Sequence, residues 1–313
     1  MSFIIAIHGG AGTMREADIT AEMVRERHEG LRRALLAGRA VLERGGAALD
    51  AVTQAVMALE DDPLFNAAHG AVMTDAGTLE MDAAIMNGTD RAAGAVAGIC
   101  GPRHPILAAR AVMETTPHVL MIGEGALAVA REAGLAFEPA SWFETPERKG
   151  ALMRELARRA RNAPDTRSDA DRHGTVGAVA RDAQGHLAAA TSTGGLTAKR
   201  SGRVGDTPIF GAGTFADNAS CAVSCTGTGE VFIRFTAAAE IAARLRYKGE
   251  TLAVAAGDVV TELASKGGDG GLIALAAQGD PVMPFNSSGM YRGWAGEDGK
   301  LHTAIYREPF VTT

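Results

Sequence analysis

Glycines stand at the ends of the short apolar runs in this chain: Gly9–Gly10, Gly194–Gly195 and Gly270–Gly271, with Gly227 and Gly229 between the last two pairs. Backbone without side chains at such places lets a second chain segment, or a ligand, come close to exposed N–H groups. The 39 glycines among 313 residues follow no fixed period, which excludes a collagen-like rod. A chain of this length with 46% hydrophobic residues buries a large core, and its length allows one domain or two.

The apolar runs come in blocks. Phe3 to Ile7 is a short continuous run ending in His8-Gly9-Gly10, as a buried strand does. Residues 20–43 place Leu31, Leu35, Leu36 and Val41 at helical spacing, and a second helix starts at Ala48 with Val52, Ala55, Val56 and Leu59 on one face. Strands are expected at Gly70–Met73, Asp82–Met86 and Ala93–Ile99, then helices at 105–114, 123–133 and 146–160. The second half repeats the pattern. Val176–Arg181 and His186–Thr193 flank the turn residues Asp182-Ala183-Gln184-Gly185, an antiparallel hairpin. A strand at Ser220–Thr226 precedes helices at Thr236–Arg246 and Leu252–Leu263, and late strands follow at Leu272–Ala276, Val282–Phe285 and Leu301–Tyr306. Hairpins bracketed by long helices predict stacked antiparallel sheets with helices outside, an α/β fold.

Between the halves, residues 158–173 carry many charges, one proline and no large apolar side chain, the composition of an exposed linker. Gly174-Thr175 follows it and opens an apolar strand. The balance of 31 basic and 37 acidic residues argues against nucleic acid as a partner, which wants a basic face. No run reaches the ~18 apolar residues that span a membrane, so none is expected as a partner. The start of the chain lacks a basic segment and a secretory apolar stretch. Three cysteines, Cys100, Cys221 and Cys225, exclude a disulfide scaffold and suit a reducing compartment, which makes the cytoplasm the expected location.

Several chemistries fall away. Gly10-Ala11-Gly12 lacks the third glycine of a dinucleotide fingerprint, and there is no phosphate-binding loop of the Walker type. His8-Gly9-Gly10-Ala11-Gly12 resembles an esterase oxyanion turn, but no Gly-x-Ser-x-Gly elbow accompanies it. Cys221 and Cys225 lie on one expected strand with no second Cys/His pair for zinc, so core packing accounts for them. No organic cofactor is expected.

Clusters of Thr, Gly and Asn at strand ends remain: His173-Gly174-Thr175-Val176-Gly177, Thr191-Ser192-Thr193-Gly194-Gly195, Gly202-Arg203-Val204-Gly205-Asp206 and Thr226-Gly227-Thr228-Gly229. Singly each is unremarkable, since Thr favours strands and Gly marks turns. In this order they resemble the plant-type L-asparaginase/isoaspartyl peptidase family of N-terminal-nucleophile hydrolases. The resemblance spans nearly the whole chain and takes in His8–Gly12, Pro63-Leu64-Phe65-Asn66-Ala67, Pro117–Met121, Pro284-Phe285-Asn286 and Gly289–Arg292.

The Gly174–Thr175 junction can also be argued from chemistry. A threonine hydroxyl needs a base beside it, and a free α-amine, with a pKa of about 7.7–8, suits that task near neutral pH. The nitrogen of Thr175 is free only if the Gly174–Thr175 bond is cut. Glycine at 174 leaves the hydroxyl an open approach to the preceding carbonyl, and the Thr175 methyl group restricts χ1 and helps aim it.

The resemblance implies a four-layer αββα sandwich. It implies one structural domain cut into an α subunit, 1–174 with the linker at its end, and a β subunit, 175–313. Thr175 is then nucleophile and, through its amine, general base; Thr193 bonds the nucleophile's hydroxyl. Thr226 and Gly227 supply an oxyanion hole, where one donor is worth ~3 kcal/mol. Arg203 grips the substrate α-carboxylate, Asp206 its α-ammonium, and Gly229 and Asn66 line the site. Taken without the resemblance, Arg203 and Asp206 read rather as an exposed i,i+3 pair worth almost nothing, and Asn66 as a cap on the turn after Pro63. The resemblance further implies a structural sodium ion on the backbone carbonyls of Leu59, Glu60, Asp62, Phe65, Ala67 and His69, although Ala68 stands where glycine is common and His69 where an apolar residue is.

The family's reaction is hydrolysis of the side-chain amide of L-asparagine and of β-aspartyl (isoaspartyl) dipeptides, by a dimer of processed pairs. Two alternatives stay open. One is the branch that cleaves sugar–asparagine links, which typically carries aspartate where Gly174 stands. The other is an unprocessed, inactive homologue that serves as a binding protein.

Overall fold

The computed structural model describes residues 2–12, 19–163 and 174–313. Of the expected linker, 158–160 close a helix and 164–173 lie outside the described residues. The first strand, β1 (Ile4–Gly12), is followed by α1 (Ala21–Glu43), α2 (Ala48–Glu60), the hairpin β2 (Met81–Asn87) and β3 (Ala93–Ile99), and α3 (Pro105–Thr115). Then come β4 (Leu120–Ile122), α4 (Gly123–Glu132), α5 (Ala140–Phe143) and α6 (Pro146–Ala160). The second half has β5 (Val176–Arg181), β6 (Leu187–Thr193), β7 (Thr214–Ala216), β8 (Cys221–Gly227), α7 (Gly229–Arg234) and α8 (Ala237–Ala243). It closes with α9 (Leu252–Ser265), β9 (Gly270–Ala276), β10 (Gly289–Gly296), β11 (Leu301–Ala304) and β12 (Val311–Thr312).

Nine strands form one sheet in the order β12-β11-β10-β1-β5-β6-β2-β3-β4, antiparallel except for the β3–β4 pair. A three-stranded antiparallel sheet, β7-β8-β9, packs across β1, β5 and β6. Helices α1, α2 and α3 cover the outer face of the large sheet, and α8 and α9 cover the small one. The four layers expected from hairpins and flanking helices are therefore present.

The alternation along β1 explains why its sequence reads as a continuous apolar run. Ile5 and Ile7 enter the core under α1 and α2, while Ile4 and Ala6 enter the core between the sheets. Strand β6 does the same with Ala188 and Ala190 on one side and Leu187 and Ala189 on the other. Cys221 and Cys225 are free thiols buried in the core around the small sheet, as packing predicted.

Some expectations are corrected. Gly70–Met73 is a loop: Ala71 N–H bonds the Ala68 carbonyl and Val72 N–H the Asn66 side chain, which takes the segment out of any ladder. Val282–Phe285 makes only isolated bridges to Ala274 and Gly271, because Pro281 and Pro284 have no N–H to donate. The helix expected to Arg246 ends at Ala243 and continues as one π-helical turn, Arg244–Lys248. Strand β1 runs past Ile7 to Gly12 through an irregularity between His8 and Gly10, where Gly10 takes φ +110°. Strand β11 stops at Ala304, short of Tyr306. Strand β10, whose glycines and mixed side chains gave no alternating signal, pairs with β1 along its whole length.

Candidate active site

Sheet register decides what meets what. Thr175 stands just before β5 and Thr193 ends β6, its hairpin partner; Thr226 and Gly227 end β8 in the facing sheet. The β6–β7 connection brings in Arg203 and Asp206, and the α2–β2 connection brings in Asn66. Gly174, Thr175, Thr193, Gly195, Arg203, Gly205, Asp206 and Gly227 line one small cleft. Five of the eight residues proposed from sequence for catalysis or substrate binding thus share a wall, and Gly174, on the expected cut bond, closes it.

Thr175 Oγ1 donates to Thr193 Oγ1 at 3.1 Å, and the Thr193 hydroxyl donates to the Gly174 carbonyl at 2.9 Å. Asn66 Nδ2 donates to the same carbonyl at 2.8 Å and to the Gly195 carbonyl at 2.8 Å, while Val72 N–H holds Asn66 Oδ1 at 2.9 Å. The Gly174 carbonyl therefore accepts two hydrogen bonds beside the Thr175 hydroxyl. Polarisation of this kind assists attack on a carbonyl. Asn66 is more than a turn cap, although it forms no part of the cleft lining. Close approach is possible because a Cβ at Gly10 would lie 3.1 Å from Gly174 Cα and 3.4 Å from Thr175 N.

Thr226 is fully buried, and its Oγ1 accepts the Ala11 N–H at 3.3 Å; that bond fills an acceptor position and leaves the hydroxyl proton to donate. Gly227 reaches the cleft; Thr226 stands one residue behind it. Gly229 begins α7, and a Cβ there would lie 2.9 Å from both Arg203 Nη2 and Asp206 Oδ1.

Arg203 and Asp206 are not an exposed surface pair. Asp206 is 5% exposed, and its Oδ2 is buried without a hydrogen-bond partner among the described residues. Burial raises its pKa to about 7, against the pull of Arg203; Glu230 and Asp82 push the same way as burial. Such an oxygen lacks a donor, and an ammonium would supply one. Arg203 gives Nε and Nη2 to Glu230 at 2.9 and 3.0 Å, a bidentate pair at the rim. Its loop is pinned by Gly202 N–H to Glu80 Oε2 at 2.8 Å and by Gly205 N–H to Asp82 Oδ2 at 3.4 Å. Beneath it Lys199 is buried and donates to the Glu80 carbonyl at 2.5 Å. Burial lowers the Lys199 pKa and raises that of Asp82. Glu80, Asp82, Lys199 and Glu230 gave no signal in the sequence, because they support the site through folds of distant loops.

The loop proposed for sodium wraps on itself: the Glu60 carbonyl accepts from His69 N–H at 2.9 Å, and that of Asp62 from Phe65 N–H at 3.1 Å. Ala68 has φ +42°, a left-handed conformation that explains why glycine is common there. His69 packs on Trp142 with ring centroids 4.7 Å apart, which accounts for an aromatic ring at that position. The Glu60 side chain is buried, accepts from Ser192 Oγ at 2.6 Å and from Ile106 N–H at 3.0 Å, and has its pKa raised to about 8 by burial.

A four-layer sandwich with a buried threonine opening a central strand is the architecture of N-terminal-nucleophile hydrolases. Residues 1–305 match the family model described as asparaginase, and the chain belongs to that family. It is 51% identical over 311 residues to the isoaspartyl peptidase of Salmonella typhimurium, covering 97% of this chain and 99% of that protein. It is 49% identical to the isoaspartyl peptidase of Escherichia coli, over 97% of this chain and 96% of the relative. The human isoaspartyl peptidase/L-asparaginase is 40% identical over 315 residues, covering 100% of this chain and 98% of the human one.

Proposed function

We propose that this protein hydrolyses the side-chain amide of L-asparagine and of β-aspartyl dipeptides, through an acyl-enzyme on Thr175, after cutting its own Gly174–Thr175 bond. The observation that carries the reading is the placement of the Thr175 hydroxyl next to a Gly174 carbonyl held by Asn66 and Thr193, in a cleft that also holds Arg203 and Asp206.

In processing, Thr175 Oγ attacks the Gly174 carbonyl carbon while Asn66 Nδ2 and Thr193 Oγ1 donate to the developing oxyanion. The C–N bond breaks, the nitrogen keeps the proton given up by the hydroxyl, and water cleaves the resulting ester. The products are the Gly174 carboxylate, a free Thr175 amine and a regenerated hydroxyl. Departure of Gly174 opens the cleft wall. In turnover the amine accepts the hydroxyl proton as Oγ attacks the substrate's side-chain carbonyl, with Thr226 Oγ1 and Gly227 N–H as oxyanion donors. The amine then protonates the leaving ammonia or peptide amine, and water releases aspartate. The two subunits, 1–174 and 175–313, stay together because β1 and β5 are neighbouring strands of one sheet.

The same reading includes a sodium ion on the carbonyls of Leu59, Glu60, Asp62, Phe65, Ala67 and His69. The donors are neutral backbone oxygens, which suit a hard monovalent cation. The ion would stiffen the loop that carries Asn66. We further place the protein in the cytoplasm, on its free cysteines, as a dimer of processed pairs; exposed Val119, Leu120 and Ile122 along edge strand β4 supply apolar surface for association.

Substrate choice follows from the clamp. β-Asp-Leu should be cleaved at least as well as asparagine, and N-acetylglucosaminyl-asparagine much more poorly, since neither Trp142 nor Trp294 lines the cleft to stack on a sugar. α-Aspartyl dipeptides should resist cleavage, because their scissile carbon is the carboxyl that Arg203 needs free. A side-by-side assay of the four decides it: preference for the glycosylated compound favours the sugar-cleaving branch, and cleavage of the α-linked peptide removes Arg203 from its role. Absence of any turnover and of any cut favours the binding-protein reading.

The pH dependence has a defined sign. Asp206 must be ionised to hold the substrate ammonium, and burial leaves it half-protonated at about pH 7. KM should therefore rise as pH falls below 7, while kcat tracks the Thr175 amine at about 7.7–8. Initial-rate measurements across the range separate the two, and a flat KM would exclude Asp206 as the ammonium partner.

A further inference from the structure

A line of buried polar groups crosses between the two sheets and ends on Thr175. His8 Nδ1 lies 2.9 Å from the Thr175 carbonyl oxygen, and His8 Nε2 lies 2.9 Å from Ser224 Oγ. Ser224 Oγ is 2.7 Å from Thr191 Oγ1, which is 2.7 Å from Thr214 Oγ1. All four of these side chains belong to residues with no solvent exposure. They come from β1, β8, β6 and β7, so each link among these four passes from one sheet to the other.

Donor and acceptor capacity orders the protons. A carbonyl only accepts, so His8 Nδ1 carries a hydrogen. Burial pushes the His8 pKa down to about 3, so the ring is neutral and Nε2 is a lone pair. Ser224 then gives its one proton to Nε2 and accepts from Thr191. Thr191, having donated, accepts from Thr214, whose proton has the Thr207 carbonyl at 3.0 Å as its other acceptor. The bonds from Thr191 to Ser224 and from Ser224 to His8 each have one direction, Thr214 shares its proton between Thr191 and the Thr207 carbonyl, and the histidine has one tautomer. Room for this comes from Gly177, opposite His8 in the β1–β5 register: a Cβ there would lie 2.0 Å from Ser224 Oγ and 2.5 Å from His8 Nε2.

Both ring nitrogens are occupied away from the Thr175 hydroxyl, so His8 is no base for that hydroxyl. We propose instead that His8 is a positioning residue: in the Nδ1–H tautomer that the Thr175 carbonyl requires, and with its Nε2 side held by Ser224 at the head of the Thr191–Thr214 hydroxyls, it donates to the Thr175 carbonyl and holds the nucleophile in line. The role rests on Thr175 being the nucleophile. It matters most after processing, when Thr175 loses its covalent anchor on the nitrogen side and is tethered covalently only through its carbonyl.

The test combines spectroscopy with kinetics on the processed enzyme. With all eight histidines ¹⁵N-labelled and the His8 signal assigned by comparison with His8→Asn, His8 should be the Nδ1–H tautomer from about pH 5 to 9. Ser224→Ala should shift the His8 Nε2 resonance, which loses its hydrogen bond, and lower kcat about tenfold, with KM changed less than about twofold and processing complete. Thr191→Val, which keeps shape but loses the hydroxyl, should show a smaller kcat loss that Thr191→Ser restores. The Thr191 pair carries the kinetic test if Ser224→Ala does not fold. An Nε2–H tautomer or an imidazolium in the wild type overturns the proposal. So does an unchanged kcat in Ser224→Ala, or Thr191→Ser behaving like Thr191→Val. A wild type with no turnover refutes the proposed function and the positioning role with it, whereas the tautomer spectrum judges the proton order by itself.

Discussion

Replacement of Thr175 by alanine is expected to leave one uncut 32.3 kDa chain with turnover reduced about 10⁴-fold or more. Both losses follow from one atom. The hydroxyl that attacks the Gly174 carbonyl in processing is the one that attacks the substrate afterwards, and its bond to Thr193 at 3.1 Å has no substitute in alanine. Wild-type protein should separate on a denaturing gel into fragments of roughly 18 and 14 kDa, in proportion to residues 1–174 and 175–313, and the smaller should begin at Thr175. Thr175→Ala should still fold, since the side chain bonds Thr193 at the edge of the cleft and contributes little to either core; an intact circular-dichroism spectrum checks that. Full activity in a chain that stays whole would refute the mechanism.

Arg203→Lys is the second large effect. The guanidinium has two sides: Nε and Nη2 engage Glu230, and Nη1 lies toward Gly195 and Gly205 in the cleft lining. An ammonium cannot present that pair of edges. The kcat/KM for β-aspartyl dipeptides should fall about a hundredfold, mostly through KM, in line with loss of a partner to a desolvated carboxylate. Processing should continue at its normal rate, because cutting the chain involves no free α-carboxylate. A kcat/KM within about twofold of wild type would show that Arg203 does not hold the substrate.

These two residues also mark how far the chain could be read without its fold. Thr175 was legible because glycine, threonine and a following apolar strand are local features with a local chemical reason. Arg203 was legible only as part of a pattern; by itself an Arg-x-x-Asp pair reads as solvated surface. Its partial burial, and the orphaned Oδ2 of Asp206, arise from the packing of the β6–β7 connection onto the segment around Glu80 and Asp82, more than 100 residues earlier. His8 illustrates the same limit. In sequence it belongs to a glycine-rich run that looks like a turn, yet it continues a strand and meets Ser224 at a separation of 216 residues.

By itself the sequence determined the elements and the reactive bond. Strands buried on both faces, such as β1 and β6, must be continuous apolar runs, and amphipathic helices must repeat near every third or fourth residue, so local pattern sufficed for both. It failed where prolines removed donors at Pro281 and Pro284 and where β10 lacked any pattern. Tertiary structure alone decided which strand ends converge, which carboxylates lose their water, and which tautomer His8 adopts. Those are properties of non-local contact: a pKa, a cleft wall and the direction of a buried hydrogen bond depend on atoms brought from distant segments, and no short stretch of chain encodes them.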